Sequence, residues 1–277
     1  MRICGLLKDT CEGRIVPGAS LIMFMNDLYS IVFIGPASGV KPLVVLSSLL
    51  DGPALWSNIL IVTDTVQHAT PFLNLVQQHK LQHLTVTDLT LKDDESILET
   101  MNPDFLISCG WGAKLSAQVL AVPKIAALNC HSSFLPDYKG SSVYKHYWAN
   151  CEEWMGATVH YMTNKFDEGN IVVQKRIAVL KNDTPKTMLE RLSTLTAFLL
   201  REALPLSATG YQGMHQSGGR YFYKISGRRL RFHRRYNLLA LRLGLPRYLT
   251  RFRVIPECQI KNANRVKSVA TSQIKVS

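Results

Sequence analysis

Four times between residues 29 and 121 a short β-branched or aromatic run is followed by a stretch of helical length, and this alternation limits the possible folds more than any other feature. The first run occupies residues 29 to 34 and ends at Gly35, with an apolar stretch from Val40 to Leu50 behind it. NILIVTD (58 to 64) precedes FLNLVQQHKL, LTV (84 to 86) precedes DDESILETM, DFLISCG (104 to 110) precedes KLSAQVL, and a fifth strand, IAALNC, spans 125 to 130. Apolar strands with little polar alternation, each followed by a helix, are what a parallel sheet covered on both faces requires. The sequence therefore predicts an α/β fold with a Rossmann-like, open, mostly parallel sheet.

After Cys130 the rhythm changes. A loop, HSSFLPDYKGSS, carries the turn formers Pro136, Asp137 and Gly140, and a helix is expected near 142 to 151. ATVHYM (157 to 162), the polar turn TNKFDEGN and IVVQKRIAVL (171 to 180) read as strand, turn and strand. Thr184 and Pro185 open a long amphipathic helix with Leu189, Leu192, Leu195, Leu199 and Leu200 on one face. Three regions follow: a leader (1–27), a body (28–206) and a basic C-terminal segment (207–277). The leader has no pattern of its own and lacks the Arg-rich, acid-free character of a transit peptide, and Met25 is an alternative start.

The residues with chemistry to offer begin at Asn129. Asn129 and His131 are two apart at the end of a strand, so an amide donor and an imidazole project to one side. Asp167, in the polar turn between Phe166 and Gly169, follows 38 residues after Asn129, enough for a loop, a helix and a strand to return the chain to the same sheet edge. These three types suit acyl transfer to an amine. Asn129 and a protonated His131 stabilise a developing oxyanion, an effect of about 2.7–4 kcal/mol per donor where measured. Asp167 holds His131 in its charged form and accepts the amine's proton, directly or through water. No side-chain nucleophile is needed. Singly, each residue also suits a plain structural use, as a turn former, a cap or a hydrogen-bonded histidine. Cys130, between Asn129 and His131, is expected on the opposite face as a buried inert thiol. His160 is expected to be structural, holding the Asp167 turn, and His146, His79 and His83 to lie at the surface.

Two stretches, N-C-H-S-S-F-L-P-D-Y-K-G from 129 to 140 and G-A-T-V-H-Y-M-T-N-K-F-D-E-G from 156 to 169, together closely resemble the folate-dependent formyltransferases. The signature of that family is Asn-x-His-x-Ser-apolar-Leu-Pro with a nearby Gly, then Gly-x-Thr-x-His and Asp-x-Gly. The likeness covers about residues 28 to 206. It implies a formyltransferase catalytic domain with 10-formyltetrahydrofolate as formyl donor and no metal, the family's triad falling on Asn129, His131 and Asp167. It also implies that Ser133 supports the site, that the segment Cys109, Gly110, Trp111, Gly112, Ala113, Lys114, Leu115 receives the pterin, and that the turn with Thr163 and Phe166 closes over it. Trp111 is added as a stacking candidate. The turn from Gly35 to Gly39 occupies a phosphate-binding position but lacks the full glycine spacing, and Lys41 fits either a phosphate contact or a solvated lysine.

Charge bears on the acceptor. The chain carries +12, with 32 Lys and Arg against 20 Asp and Glu, but residues 220–277 hold 15 of those bases and one acid, Glu257. The segment thus carries +14 and the rest −2, a near-neutral body with a basic tail in which Arg228, Arg229, Arg231, Arg234 and Arg235 cluster beside aromatic and leucine residues. Phosphate contacts, an anionic membrane surface and a solvated extension all suit that tail. The expected acceptor is a small phosphate-bearing or nucleotide-linked primary amine, with an amino-sugar nucleotide favoured. Methionyl-tRNA is the alternative, reached through the basic segment. Hydrolysis of the donor, glycinamide ribonucleotide as acceptor and a non-catalytic binding module are further alternatives. The six cysteines show no C-x-x-C pair and no apolar run reaches transmembrane length, so a cytoplasmic protein with reduced thiols is expected.

Overall fold

The computed structural model describes residues 28–65, 68–88, 90–91, 94–250 and 252–254; the leader and the chain after residue 254 lie outside the described residues. In chain order the elements are β1 (Tyr29–Ile34), α1 (Val40–Asp51), β2 (Trp56–Asp64), α2 (Pro71–Gln78), β3 (Gln82–Val86), α3 (Glu95–Met101), β4 (Phe105–Ser108), α4 (Ala117–Ala121) and β5 (Ala126–His131). Then follow β6 (Lys139–Gly140), α5 (Val143–Ala149), β7 (Trp154–Tyr161), β8 (Ile171–Ala178), α6 (Pro185–Ala208), β9 (Arg220–Phe222), α7 (Gly227–Arg242) and β10 (Phe252–Val254).

Seven strands form one sheet in the order β3-β2-β1-β4-β5-β7-β8. The first five run parallel, while β7 is antiparallel to both β5 and β8. Alternation along β1 shows why both faces are covered. Tyr29, Ile31 and Phe33 join Leu46 and Leu49 of α1, Phe72 of α2 and Leu200 and Leu204 of α6, whereas Val32 and Ile34 join Leu98 of α3 and Val119 of α4. The expected mostly parallel α/β sheet is therefore present. The chain turns to opposite sides of β1 to build β2 and β4, and this switch point opens a crevice at the C-terminal strand ends.

Local sequence fixes the element starts. Thr70 caps α2 by accepting from Leu73 N at 3.2 Å, and its own hydroxyl donates to Ala37 O at 2.6 Å, tying α2 to the loop after β1. α6 begins as expected, with Thr184 and Thr187 in a reciprocal capping box and Pro185 in the first turn. Its buried face differs from the leucine ladder read from sequence. Leu192, Leu199 and Leu200 are buried, but Leu189 and Leu195 are only half-buried, and Met188, Ser193 and Thr196 occupy the face instead. Ser193 and Thr196 satisfy their hydroxyls on the carbonyls of Leu189 and Leu192, which lets them pack like small apolar groups.

Two expectations change. His146 is fully buried, not at the surface, because α5 is sandwiched between β9 and the chain after α7: Nδ1 lies 2.8 Å from Thr250 Oγ1 and Nε2 2.9 Å from Tyr223 O. The part of the C-terminal segment that the structure describes is integral to the fold. β9 lies between β6 and β10 in a second, three-stranded sheet, and Phe222 is buried against Tyr138, with the rings stacked at 4.3 Å and 7°. Two arginines of the segment serve the same packing: Arg234 lies 4.4 Å over the Trp148 ring, and Arg247 donates to the carbonyls of Asn150 and Cys151 at the end of α5.

Candidate active site

Asn129 and His131 stand at the C-terminal end of β5, paired across the antiparallel ladder with His160 and Thr158 of β7. Strand alternation aims all four side chains to one side, while Cys130 points into the core, buried as expected. His160 Nδ1 is 2.8 Å from the carbonyl of Tyr161, which can only accept, so Nδ1 carries the proton. Nε2 then accepts from Asn129 Nδ2 at 3.0 Å. The Asn129 amide is thereby oriented, with its second N–H 3.4 Å from Asp167 Oδ1.

His131 lies between two acceptors. Nε2 is 3.1 Å from Tyr138 O and Nδ1 is 3.4 Å from Asp167 Oδ1. Only the imidazolium satisfies both. Burial works against that form and holds the His131 pKa below the ordinary histidine range, although the Asp167 charge and the Tyr138 carbonyl pull it upward. Asp167 is buried, and burial alone would raise its pKa. The charge of His131 and the Gly140 N–H on Oδ2 at 2.8 Å prevail, keeping the carboxyl ionised well below the usual range.

The loops supply the rigid frame. Ser133 is buried and donates to the same Tyr138 carbonyl that His131 uses, so it fixes the acceptor that orients the imidazole. Thr158 donates to Ser133 O at 2.7 Å and accepts from Leu135 N at 3.2 Å, clamping the SSFLP loop onto β7. The two-residue spacing of Thr158 and His160 thus places one side chain on the loop and the other on Asn129. Asp167 adopts φ +53°, and Gln216 Nε2 donates to its carbonyl at 3.0 Å and to that of Gly169 at 2.6 Å. A Cβ at Gly169 would meet Tyr161 O at 1.8 Å, so this turn tolerates only glycine there.

These groups open onto a cavity of about 630 Å³ at the switch point, lined on one side by the loop after β4 and on the other by the turn after β7. The chain matches the formyl transferase family model over residues 60–204. It belongs to the formyl transferase family. Methionyl-tRNA formyltransferase of Limosilactobacillus fermentum is 30% identical over 189 residues, 65% of this chain and 59% of that protein. The Staphylococcus aureus enzyme of the same name is 38% identical over 111 residues, 40% of this chain and 35% of its own length, so the chain spans well under two thirds of these curated relatives. Among solved structures, glycinamide ribonucleotide transformylase 1 from Symbiobacterium toebii superposes with a TM-score of 0.57 at 21% identity, covering 66% of this chain and 89% of that one. WlaRD, a sugar 3N-formyl transferase solved in the presence of dTDP and 5-N-formyl-THF, gives 0.55 at 17% identity and covers 79% of this chain and 82% of that one. Both likenesses concern the fold.

In this formyl transferase chain the residues expected to contact the donor separate into two groups. Gly110, Trp111, Gly112, Ala113 and Leu115 line one wall of the cavity, and Thr163 and Phe166 the other. Gly110, at φ +81°, turns the loop over the cavity, and Trp111 is half-buried against the core beneath it. Cys109 and Ser133 do not line the cavity. The Cys109 thiol is buried in the core beside Cys130, and Ser133 is buried beneath the site.

Some groups at or beside the cavity do more than the sequence reading assigned, and Lys139 and Tyr221 escaped it. His160 does more than steady the turn, since it bonds Asn129 directly. Lys139 is buried with Nζ 3.8 Å from Glu168 Oε1 and 5.5 Å from the Tyr221 ring, and burial lowers its pKa against the pull of Glu168 and Asp167. Tyr221 closes the turn, its hydroxyl 2.5 Å from Phe166 O. Lys41 is half-buried and paired: Nζ donates to Cys130 O at 2.6 Å and the side chain borders the cavity beside the uncapped start of α1. Among the described residues no helix is long and apolar enough to cross a membrane.

Proposed function

We propose that the protein transfers a formyl group from 10-formyltetrahydrofolate to the primary amine of a phosphate-bearing acceptor. The observation that carries this reading is the grouping of Asn129, His131 and Asp167 around one carboxylate in the lining of the cavity, Asn129 Nδ2 and His131 Nδ1 each 3.4 Å from Asp167 Oδ1. The cavity fits the donor in kind. Its size is within the range of cofactor sites, its walls combine apolar Trp111, Leu115, Met162 and Phe166 with polar groups, and it leads to the three reacting side chains. The donor supplies an activated formyl carbon. Asn129 Nδ2 and the His131 imidazolium receive the oxygen on which charge develops as it displaces their long, 3.4 Å contacts to Asp167 Oδ1. Asp167 favours the positive form of His131 against its burial and takes up the amine's proton, directly or through water. The bond from the formyl carbon to the donor nitrogen then breaks, and that nitrogen takes a proton as tetrahydrofolate leaves.

An amino-sugar nucleotide is the favoured acceptor. Support comes from the start of α1, whose uncapped first turn and Lys41 border the cavity where an anion would be held, and from the sugar formyl transferase fold, whose likeness extends over 79% of the chain. Methionyl-tRNA is the second reading, favoured by the curated relatives of that name. The test is release of tetrahydrofolate from 10-formyltetrahydrofolate without acceptor, then with amino-sugar nucleotides, glycinamide ribonucleotide or methionyl-tRNA. Release dependent on an amino-sugar nucleotide is expected. Release without any amine assigns hydrolysis, and no release in any mixture overturns the reading.

A further inference from the structure

The helix α7 runs for 16 residues without an acidic side chain. One face is committed: Leu230, Asn237 and Ala240 are buried, and Asn237 Nδ2 donates to Ala149 O and Tyr248 O at 2.9 Å each. The opposite face carries two parallel stripes. Phe232, Tyr236, Leu239 and Leu243, spaced four, three and four residues apart, lie in one row and are 67%, 46%, 55% and 62% exposed. Arg228, Arg231, Arg235 and Arg242 run along one flank of that row and Arg229 along the other. Among the described residues none of these five guanidiniums has an acidic partner.

We propose that this face of α7 docks on an anionic lipid bilayer, with the apolar row inserted at the level of the headgroups and the flanking arginines on lipid phosphates and carboxylates. The combination selects the occupant. A polynucleotide would satisfy the arginines but leave four large apolar side chains in water, since phosphate contacts bury little hydrocarbon. A second copy would bring two arginine-lined faces together. The chain after residue 254 holds Lys261, Arg265, Lys267 and Lys275 against Glu257 and so carries the same sign of charge. An anionic interface takes both parts at once: hydrocarbon accepts the row, and long arginine stems lie along it with their heads at the lipid phosphates.

The full chain is sedimented with phosphatidylcholine vesicles and with vesicles in which a third of the lipid is phosphatidylserine. Binding to the anionic vesicles alone is expected. The double variant Phe232→Ser/Leu239→Ser should weaken it at least about tenfold, from lost apolar burial. Arg231→Gln/Arg235→Gln should weaken it about 25-fold, at about fivefold per charge. All four side chains are exposed and outside the cavity, and unchanged thermal melting confirms that the fold is kept. Should a pair alter melting, Leu243→Ser or Arg228→Gln asks the same question. Failure to sediment with anionic vesicles overturns the proposal. So does undiminished binding by the serine pair, which would reduce the contact to a surface charge that RNA or any polyanion can satisfy.

Discussion

The amide of Asn129 is held by the ring of His160: Nδ2 donates to Nε2 at 3.0 Å across the antiparallel pair of β5 and β7. Because the Tyr161 carbonyl fixes the His160 tautomer, the ring can only accept from Asn129, which keeps the amide's N–H side on the site. Replacing His160 by Phe leaves the amide free to rotate. The expected result is a fall in kcat of about 10- to 100-fold with the donor KM little changed. Partial recovery in His160→Gln, whose amide oxygen can accept the same bond, separates orientation from a general loss of packing.

Asp167 faces His131 with Oδ1 and the Gly140 N–H with Oδ2. Asp167→Asn keeps the shape and removes the charge that favours the imidazolium against burial. Formyl transfer should drop by about 10² to 10⁴, while calorimetric titration with 5-formyltetrahydrofolate still shows binding. An Asp167→Asn protein with parental turnover would eliminate both roles assigned to the carboxylate.

Burial pulls the pKa of His146 down from 6.5 to about 4, against the Tyr223 carbonyl, which pulls it up. A depressed histidine favours the fold while neutral. The contribution is therefore complete above pH 6.5 and is lost as pH falls towards 4, because the unfolded chain takes up the proton first. The full difference is about 3 kcal/mol. Urea midpoints between pH 7.5 and 4.5 should fall steeply for the parent and less steeply for His146→Gln. Parallel slopes would assign the acid sensitivity to other groups, among them His131, which burial also depresses.

Phe222 fills the space between Tyr138 and His146, with ring distances of 4.3 and 4.9 Å. Phe222→Ala should cost about 3–5 kcal/mol, read as a lower urea midpoint. The damage should extend to catalysis, since Tyr138 carries the carbonyl that His131 and Ser133 share. For the same reason, truncation after residue 219 should unfold the protein and not merely change acceptor affinity.

Much of the sheet was legible because β1, β2, β4 and β5 are largely buried on both faces and announce themselves without help from distant partners. β6, β9 and β10 were not. Each is two or three residues long, and only pairing between residues 139–140, 220–222 and 252–254 makes them strands. His146 was misplaced because what covers it, Tyr223 and Thr250, lies 77 and 104 residues away. In the site, the spacing of Asn129, His131 and Asp167 was readable and the structure brings them together. The bond from His160 to Asn129 depends on which residue of β7 stands opposite which of β5, and no local pattern states that. Lys139 was hidden by the opposite effect, since a lysine between Tyr138 and Gly140 in a polar loop gives no sign of burial.

The register between β5 and β7 makes the core and the chemistry a single commitment. Asn129 and His131 face the cavity because Cys130 and Leu128 face the interior, and His160 and Thr158 match them one for one. Sliding or lengthening β5 by one residue would turn a thiol and a leucine towards the cavity and send an amide and an imidazole into hydrocarbon. Sequence drift at this edge is therefore confined to substitutions: the ladder admits changes in what a position carries, but no change in how many positions there are.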